Sequence, residues 1–147
     1  MNENDAVRKA TLRARAEIDL DALRANVRSL RAHASGAALM TVVKADAYGH
    51  GALACARAAV EAGASWLGTA TPQEALALRA PGAGIPADVR VMCWLWTPGG
   101  PWREAIEADL DVGVSGMWAL EEVTAAARAA GRRSVFYTST IPPYPMR

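Results

Sequence analysis

The chain has 147 residues, 52% of them hydrophobic and 21% charged, with a net charge of +1. That length builds one domain with a core of its own, and that composition excludes a disordered chain. The near-neutral charge, with arginines scattered among alanines, gives no reason to expect nucleic acid or an anionic membrane as partner, and no run of 18 apolar residues exists to span a bilayer. Residues 1–14 are polar and basic and read as a loose leader without the apolar stretch of a secretory signal. Cys55 and Cys93 are far apart and lack a CxxC partner, so they are expected to be buried or half-buried thiols of a cytoplasmic protein.

Taken in chain order, Ala16 to Leu20 alternates and predicts a short strand. Asp21 is placed to cap a helix whose inner face carries Leu23, Val27, Leu30 and Ala34, with Gly36 as its stop. Ala38 to Val43 is an almost unbroken apolar run, the pattern of a buried parallel strand. Leu53, Ala56 and Val60 predict the inner face of a helix ending at Gly63. Trp66 to Ala70 predicts a second strand of that kind. Thr71 as N-cap, Pro72 at the first helical position and Glu74 closing a capping box then open another helix. Val89 to Trp96 predicts a third strand, Pro98 to Pro101 a turn, and Trp102, Ala105 and Ile106 a helix face. Leu110 to Val114 predicts a fourth strand. Ser115 is placed to cap a helix with Leu120, Val123 and Ala127 inward, ending at Gly131, and Ser134 to Thr138 fits a fifth strand.

Strands alternating with helices through short connections mean βαβ units and a parallel sheet. Two architectures fit. One is an open five-stranded doubly wound sheet; the other is about the first half of a (β/α)8 barrel. Periodicity leaves both open.

Composition changes after Ala130. From there on no alanine occurs, and residues 132–147 hold the single Phe, two of three Tyr and three of eight Pro. One reading is an ordinary Pro-rich terminus. The reading preferred here is an atypical tail from a shifted frame, which would leave 15–131 as the native portion.

Lys44 directly follows the apolar run at 38–43. In parallel α/β folds ligands sit at the carboxyl ends of strands, where Lys44 lies. A lysine partly desolvated at such a rim keeps more of its amine neutral, the form that attacks an aldehyde to make a Schiff base. Tyr48 places a hydroxyl within reach of a phosphate, Gly49 and Gly51 let the backbone turn closely around a ligand, and the helix after Gly51 points its N-terminus toward the same mouth. Taken singly, each has a plainer explanation: a strand-end lysine reaching solvent, a packing tyrosine, a loop glycine pair lacking the third glycine of a dinucleotide site.

The ordered combination carries more. Val42-Val43-Lys44-Ala45-Asp46-Ala47-Tyr48-Gly49-His50-Gly51 resembles the pyridoxal 5'-phosphate (PLP) attachment signature of alanine racemases at every position. Ala16 to Leu23 with Asn26 and Val27, Glu61 to Ser65, and Glu74 to Arg79 resemble the same family. The resemblance spans roughly residues 14–131 and decides for the barrel: an incomplete alanine-racemase-type TIM barrel. It implies an isomerase interconverting L- and D-alanine and supplying D-alanine for cell-wall peptidoglycan. It implies that Lys44 carries PLP as a Schiff base and moves a proton on one face of the substrate, and that Tyr48 binds the cofactor phosphate. It further implies a homodimer in which a tyrosine from the C-terminal domain of the other subunit serves the opposite face. Neither Tyr137 nor Tyr144 sits in a matching motif, and Ser134 to Thr138 departs from the family's fifth-strand segment. Three rival readings remain: a truncated, inactive PLP-binding remnant, a stand-alone PLP-binding barrel protein, and an aldolase-like Schiff-base enzyme without PLP.

The other candidates read as structural: His50 as a hydrogen-bonding loop residue, His33 as a surface residue, Trp94 and Trp96 as packing aromatics. Glu107, Asp109 and Asp111 lack the spacing of metal ligands.

Overall fold

The computed structural model describes residues 15–133 and, as backbone alone, residues 136–138. Among the described residues five strands form a single sheet: β1 (Met40–Val42), β2 (Trp66–Thr69), β3 (Arg90–Cys93), β4 (Asp111–Val114) and β5 (Phe136–Thr138). All neighbours are parallel and the spatial order is the chain order, β1-β2-β3-β4-β5. A doubly wound sheet reverses its strand order at a switch point. This sheet never reverses, so each crossover advances one strand in the same sense, as in an arc of a barrel. The structure thus agrees with the incomplete barrel and rules out the open doubly wound alternative.

Among the described residues α1 (Leu20–His33) precedes β1, and α2 (Lys44–Gly49), α3 (Ala52–Glu61), α4 (Pro72–Arg79), α5 (Trp102–Glu107) and α6 (Met117–Ala129) lie between the strands. Side-chain alternation splits the sheet into two faces. Val43, Leu67, Val91, Cys93, Val112 and Val114 form one buried core with Ala56, Ala75, Leu78, Ile106, Ala119 and Val123 from the helices. The registered rows of the other face carry Met40–Trp66–Arg90 and Val42–Gly68–Met92–Asp111. Arg90 lies over the Trp66 ring, 4.4 Å from its centroid, and donates from Nε to Asp111 Oδ2 at 2.8 Å. Gly68 leaves room there for its neighbours: a Cβ would lie 2.9 Å from Met40 Sδ and 3.0 Å from the Trp94 ring, so both would have to shift.

Several boundaries differ from the sequence reading. Residues 15–19 form no strand. Asp19, not Asp21, caps α1: its Oδ1 accepts from the N–H groups of Asp21 and Ala22, both at 2.9 Å. The alternation of Ala16 to Leu20 therefore leads into a cap, and a strand signal without a partner strand yields to it. Leu30 and Leu53 are exposed, at 61% and 36%. On α3 the buried residues are Cys55, Ala56, Ala58 and Ala59, and Ala59 packs with Val27 of α1, Ala62 and Ala64. Gly116, not Ser115, is the N-cap of α6, and no side chain caps it. β5 forms within Ser134 to Thr138, where the sequence fits a fifth strand, and pairs with β4. Tyr144 and the rest of 139–147 lie outside the described residues, as does the leader 1–14.

Cys55 and Cys93 are both buried and free, as expected. Burial, aided by the nearby Asp111 charge, pushes the Cys93 thiol up to about 12, so it is an inert packing group. No helix among the described residues is long and apolar enough to cross a membrane.

Candidate functional site

The site is built at the carboxyl end of β1. Val43 still belongs to the sheet, its N–H donating to Gly68 O at 2.8 Å, and its side chain is buried in the core. Lys44 comes next, half-buried, at the rim that parallel folds use for ligands. The connection from there to α3 departs from any ordinary βα loop. Ala45, Asp46, Ala47 and Tyr48 all have φ between 51° and 56° with ψ between 38° and 49°. α2 is thus a left-handed turn of four consecutive residues, none of them glycine. Each such residue with a Cβ costs about 1–2 kcal/mol, which is why left-handed runs are rare.

Three side chains oppose that cost. Glu74, from α4, accepts the Ala45 N–H on Oε1 at 2.7 Å. Asp46 accepts the Ala52 N–H on Oδ1 at 2.6 Å, tying the turn to the first residue of α3. His50 lies with Nδ1 2.8 Å from Ala47 O; a carbonyl only accepts, so Nδ1–H donates. The backbone adds bonds from Ala47 N–H to Val43 O and from Gly51 N–H to Asp46 O, both at 2.9 Å. Gly49 and Gly51 close the segment at φ 83° and 91°, where a Cβ would be strained.

Glu74 does two jobs. Its Oε2 accepts from the N–H groups of Ala70 at 2.9 Å and Thr71 at 3.1 Å, while its own N–H donates to the Thr71 hydroxyl at 3.3 Å. This is the capping box expected from Thr71-Pro72-Gln73-Glu74. Burial would push the Glu74 carboxyl up, but the N–H groups of Thr71, Ala45 and Ala70 and the Thr71 hydroxyl together outweigh it. The acid is held below its ordinary value and is ionised at neutral pH.

The structure brings Lys44 and Tyr48 together: Lys44 Nζ is 5.8 Å from the centroid of the Tyr48 ring. Tyr48 is 64% exposed, so its hydroxyl is free to meet a ligand at the rim. His50 fulfils its structural reading. The expected helix N-terminus facing the mouth is different: the first N–H of α3 is already taken by the Asp46 carboxylate, which leaves that donor unavailable to a phosphate.

Trp94 and Trp96 part company. Trp94 covers Gly68 and Gly113 on the inner face of the sheet. Trp96 is buried and stacks on Trp102 at 3.9 Å between centroids, with Trp118 edge-on to Trp102 at 6.3 Å. Glu122 accepts from the Trp102 indole N–H and from the Gly99 N–H, which pins the loop after β3. His33 is exposed and bonded to Ser29 O. Among the described residues no three His, Cys, Asp or Glu side chains cluster to hold a metal. Asp111 is committed to Arg90. Sequence reasoning missed the left-handed turn, the second role of Glu74 and the bond from Ala52 to Asp46.

The family model for the alanine racemase N-terminal domain matches residues 18–136. The chain belongs to the alanine racemase family. It is 77% identical over 133 residues to the alanine racemase of Streptomyces coelicolor, a match that covers 89% of this chain and 34% of that protein. It is 57% identical over 121 residues to the alanine racemase of Frankia casuarinae, covering 82% of this chain and 30% of the relative. The solved alanine racemase of Streptomyces coelicolor A3(2) superposes with a TM-score of 0.88 at 71% identity, over 95% of this chain and 36% of the other. A structure described as the alanine racemase of Bartonella henselae with covalently bound pyridoxal phosphate superposes with a TM-score of 0.72 at 26% identity, over 81% of this chain and 32% of that one. The chain spans about a third of the length of the curated relatives that it matches.

Proposed function

We propose that the chain is the lysine-bearing portion of a PLP-dependent alanine racemase that interconverts L- and D-alanine. The observation that carries this reading is the placement of Lys44, a primary amine on a braced turn at the carboxyl rim of a parallel sheet, beside an exposed tyrosine. The donor set fits the cofactor: an amine for its aldehyde, and a phenol for its phosphate. When bound, PLP supplies an electron-withdrawing ring that makes the Cα–H of alanine acidic. Lys44 binds the cofactor through Nζ and then holds or returns a proton at the substrate Cα on one face. Tyr48 orients the cofactor through its hydroxyl. The resemblance assigns the opposite face to a tyrosine of the partner subunit's C-terminal domain. A homodimer and a cytoplasmic location belong to the same reading.

The test is to incubate the chain with PLP, reduce with borohydride, and map the mass adduct. We expect the adduct on Lys44 and its loss in Lys44→Ala. An adduct scattered over other amines, or none, overturns the assignment. An adduct on Lys44 without D-alanine formation in a coupled assay points instead to a cofactor-binding portion without racemase activity.

A further inference from the structure

Ala45, Ala47 and Tyr48 do not favour a left-handed turn by themselves, so its shape needs support from elsewhere in the fold. The constraint nearest Lys44 comes from a residue 29 positions further along the chain. Glu74 Oε1 lies 2.7 Å from the N of Ala45, the peptide that leaves Lys44. Its other oxygen is fixed by the converging N–H groups of Ala70 and Thr71 at the start of α4. The carboxylate is therefore a strut. One end is anchored in a well-formed capping box on β2–α4, and the other holds the backbone of the β1 rim. Burial of Leu78 and Ala75 on α4 in the main core makes the anchored end rigid. Asp46 and His50 also brace the turn, but both belong to the turn or its exit and move with it. Of these three side chains, Glu74 is the one that refers its position to a second strand–helix unit.

We propose that Glu74 is a positioning residue for Lys44, fixing the direction in which its side chain leaves the sheet rim by holding the Ala45 N–H. This rests on the reading of Lys44 as the cofactor-binding amine. Glu74 touches neither cofactor nor substrate and acts through the backbone alone.

Two variants separate this role from helix capping. In Glu74→Gln the single amide oxygen goes to the two converging donors, Ala70 and Thr71, and the amide NH2 is left facing the Ala45 N–H, so the cap survives and the turn is released. In Thr71→Ala the cap loses its hydroxyl while the bond to Ala45 stays. Amide hydrogen exchange and the rate of the borohydride-trapped PLP adduct are read on both. We expect Glu74→Gln to speed exchange at residues 45–48 at least tenfold and to slow adduct formation at Lys44 by about the same factor. Exchange at Leu67 and Val91 should stay within twofold. Thr71→Ala should leave both turn exchange and adduct rate within twofold. The inference is overturned if Thr71→Ala matches Glu74→Gln, or if Glu74→Gln leaves exchange at 45–48 unchanged. Should the wild-type chain form no adduct at Lys44 while exchange responds as described, the hold on the turn stands and the cofactor reading falls.

Discussion

Two strand-to-helix junctions lie side by side at the same rim and solve the same problem in opposite ways. After β2 the chain enters α4 through Thr71, extended at φ −105° and ψ 153°, with Pro72 and a complete capping box. Every local preference agrees there, so the junction needs nothing from outside. After β1 the chain runs through four left-handed residues before α3, none of them glycine. It is held by Asp46, by His50 and by a carboxylate borrowed from the first junction. The junction that breaks the rules is the one that carries Lys44. Strain maintained by surrounding structure is characteristic of sites where a side chain must be aimed.

Removing the shared carboxylate should show the largest effect. Glu74→Ala leaves three N–H groups without their acceptor. Hydrogen bonds to a charged group contribute about 1.5–3 kcal/mol each, but water reaches part of this site, so we expect a total loss of about 2–3 kcal/mol. Thr71→Ala removes only the cap hydroxyl and should cost about 1 kcal/mol. Urea midpoints of the two variants compare a residue that serves both junctions with one that serves a single junction. Equal losses would mean that the bond to Ala45 contributes nothing.

Next comes the exit of the left-handed turn. Gly51 has φ 91° and open space around its would-be Cβ. Gly51→Ala therefore meets no clash, and its expected cost of about 1–2 kcal/mol comes from backbone conformation alone. A thermal midpoint within 1 °C of the wild type would show that the backbone there relaxes freely.

Acid should act on the same carboxylate. Glu74 is held below its ordinary value in the folded chain. Its stabilising contribution is complete above the ordinary glutamate value of about 4.3 and fades as the pH falls through the lowered folded one. Glu74→Gln cannot titrate, so the gap in stability between wild type and variant should be widest at neutral pH and close in acid. A gap that is constant with pH would show that the charge of Glu74 plays no part. Using the difference between the two proteins cancels Asp111, whose carboxyl is pushed up by burial in both.

The same comparison explains how far the sequence could be read. Thr71-Pro72-Gln73-Glu74 announces its junction because every partner lies within four residues. Of the helix face read as Leu53, Ala56 and Val60, Ala56 is buried and Leu53 is exposed, because the neighbouring elements and not the helix period alone choose the buried face, while Gly49 and Gly51 signal positive φ by themselves. Lys44 and Tyr48 were legible as an ordered combination. Ala45 to Tyr48 were not legible as a left-handed turn, because their conformation depends on Glu74, distant in sequence. The misplaced cap of α1 has a similar origin. Asp19 and Asp21 are both good capping residues, and the start of the helix decides between them through two backbone bonds. Trp94 and Trp96 looked alike in sequence but fall on different sides of the sheet, one over Gly68 and the other against Trp102.

The finest test of the contrast uses one chemical change at both junctions. Ala77 is an exposed interior position of α4, with ordinary helical geometry. Ala77→Gly gives the unfolded chain more freedom and the helix no compensation, so it should destabilise by about 1 kcal/mol. Ala45 is also exposed, but sits at φ 51° and ψ 49°. There glycine removes the clash of Cβ with the backbone, worth about 1–2 kcal/mol. It returns part of that gain as unfolded-state entropy, about 0.4–1 kcal/mol. Ala45→Gly should therefore stabilise the chain by about 0.5–1 kcal/mol, opposite in sign to Ala77→Gly. The substitution keeps the Ala45 N–H and its bond to Glu74, so a stabilised variant should still hold Lys44 in place. Two destabilisations of the same sign in urea titrations would mean that the left-handed turn is not strained, and that Glu74 steadies a conformation the chain already prefers.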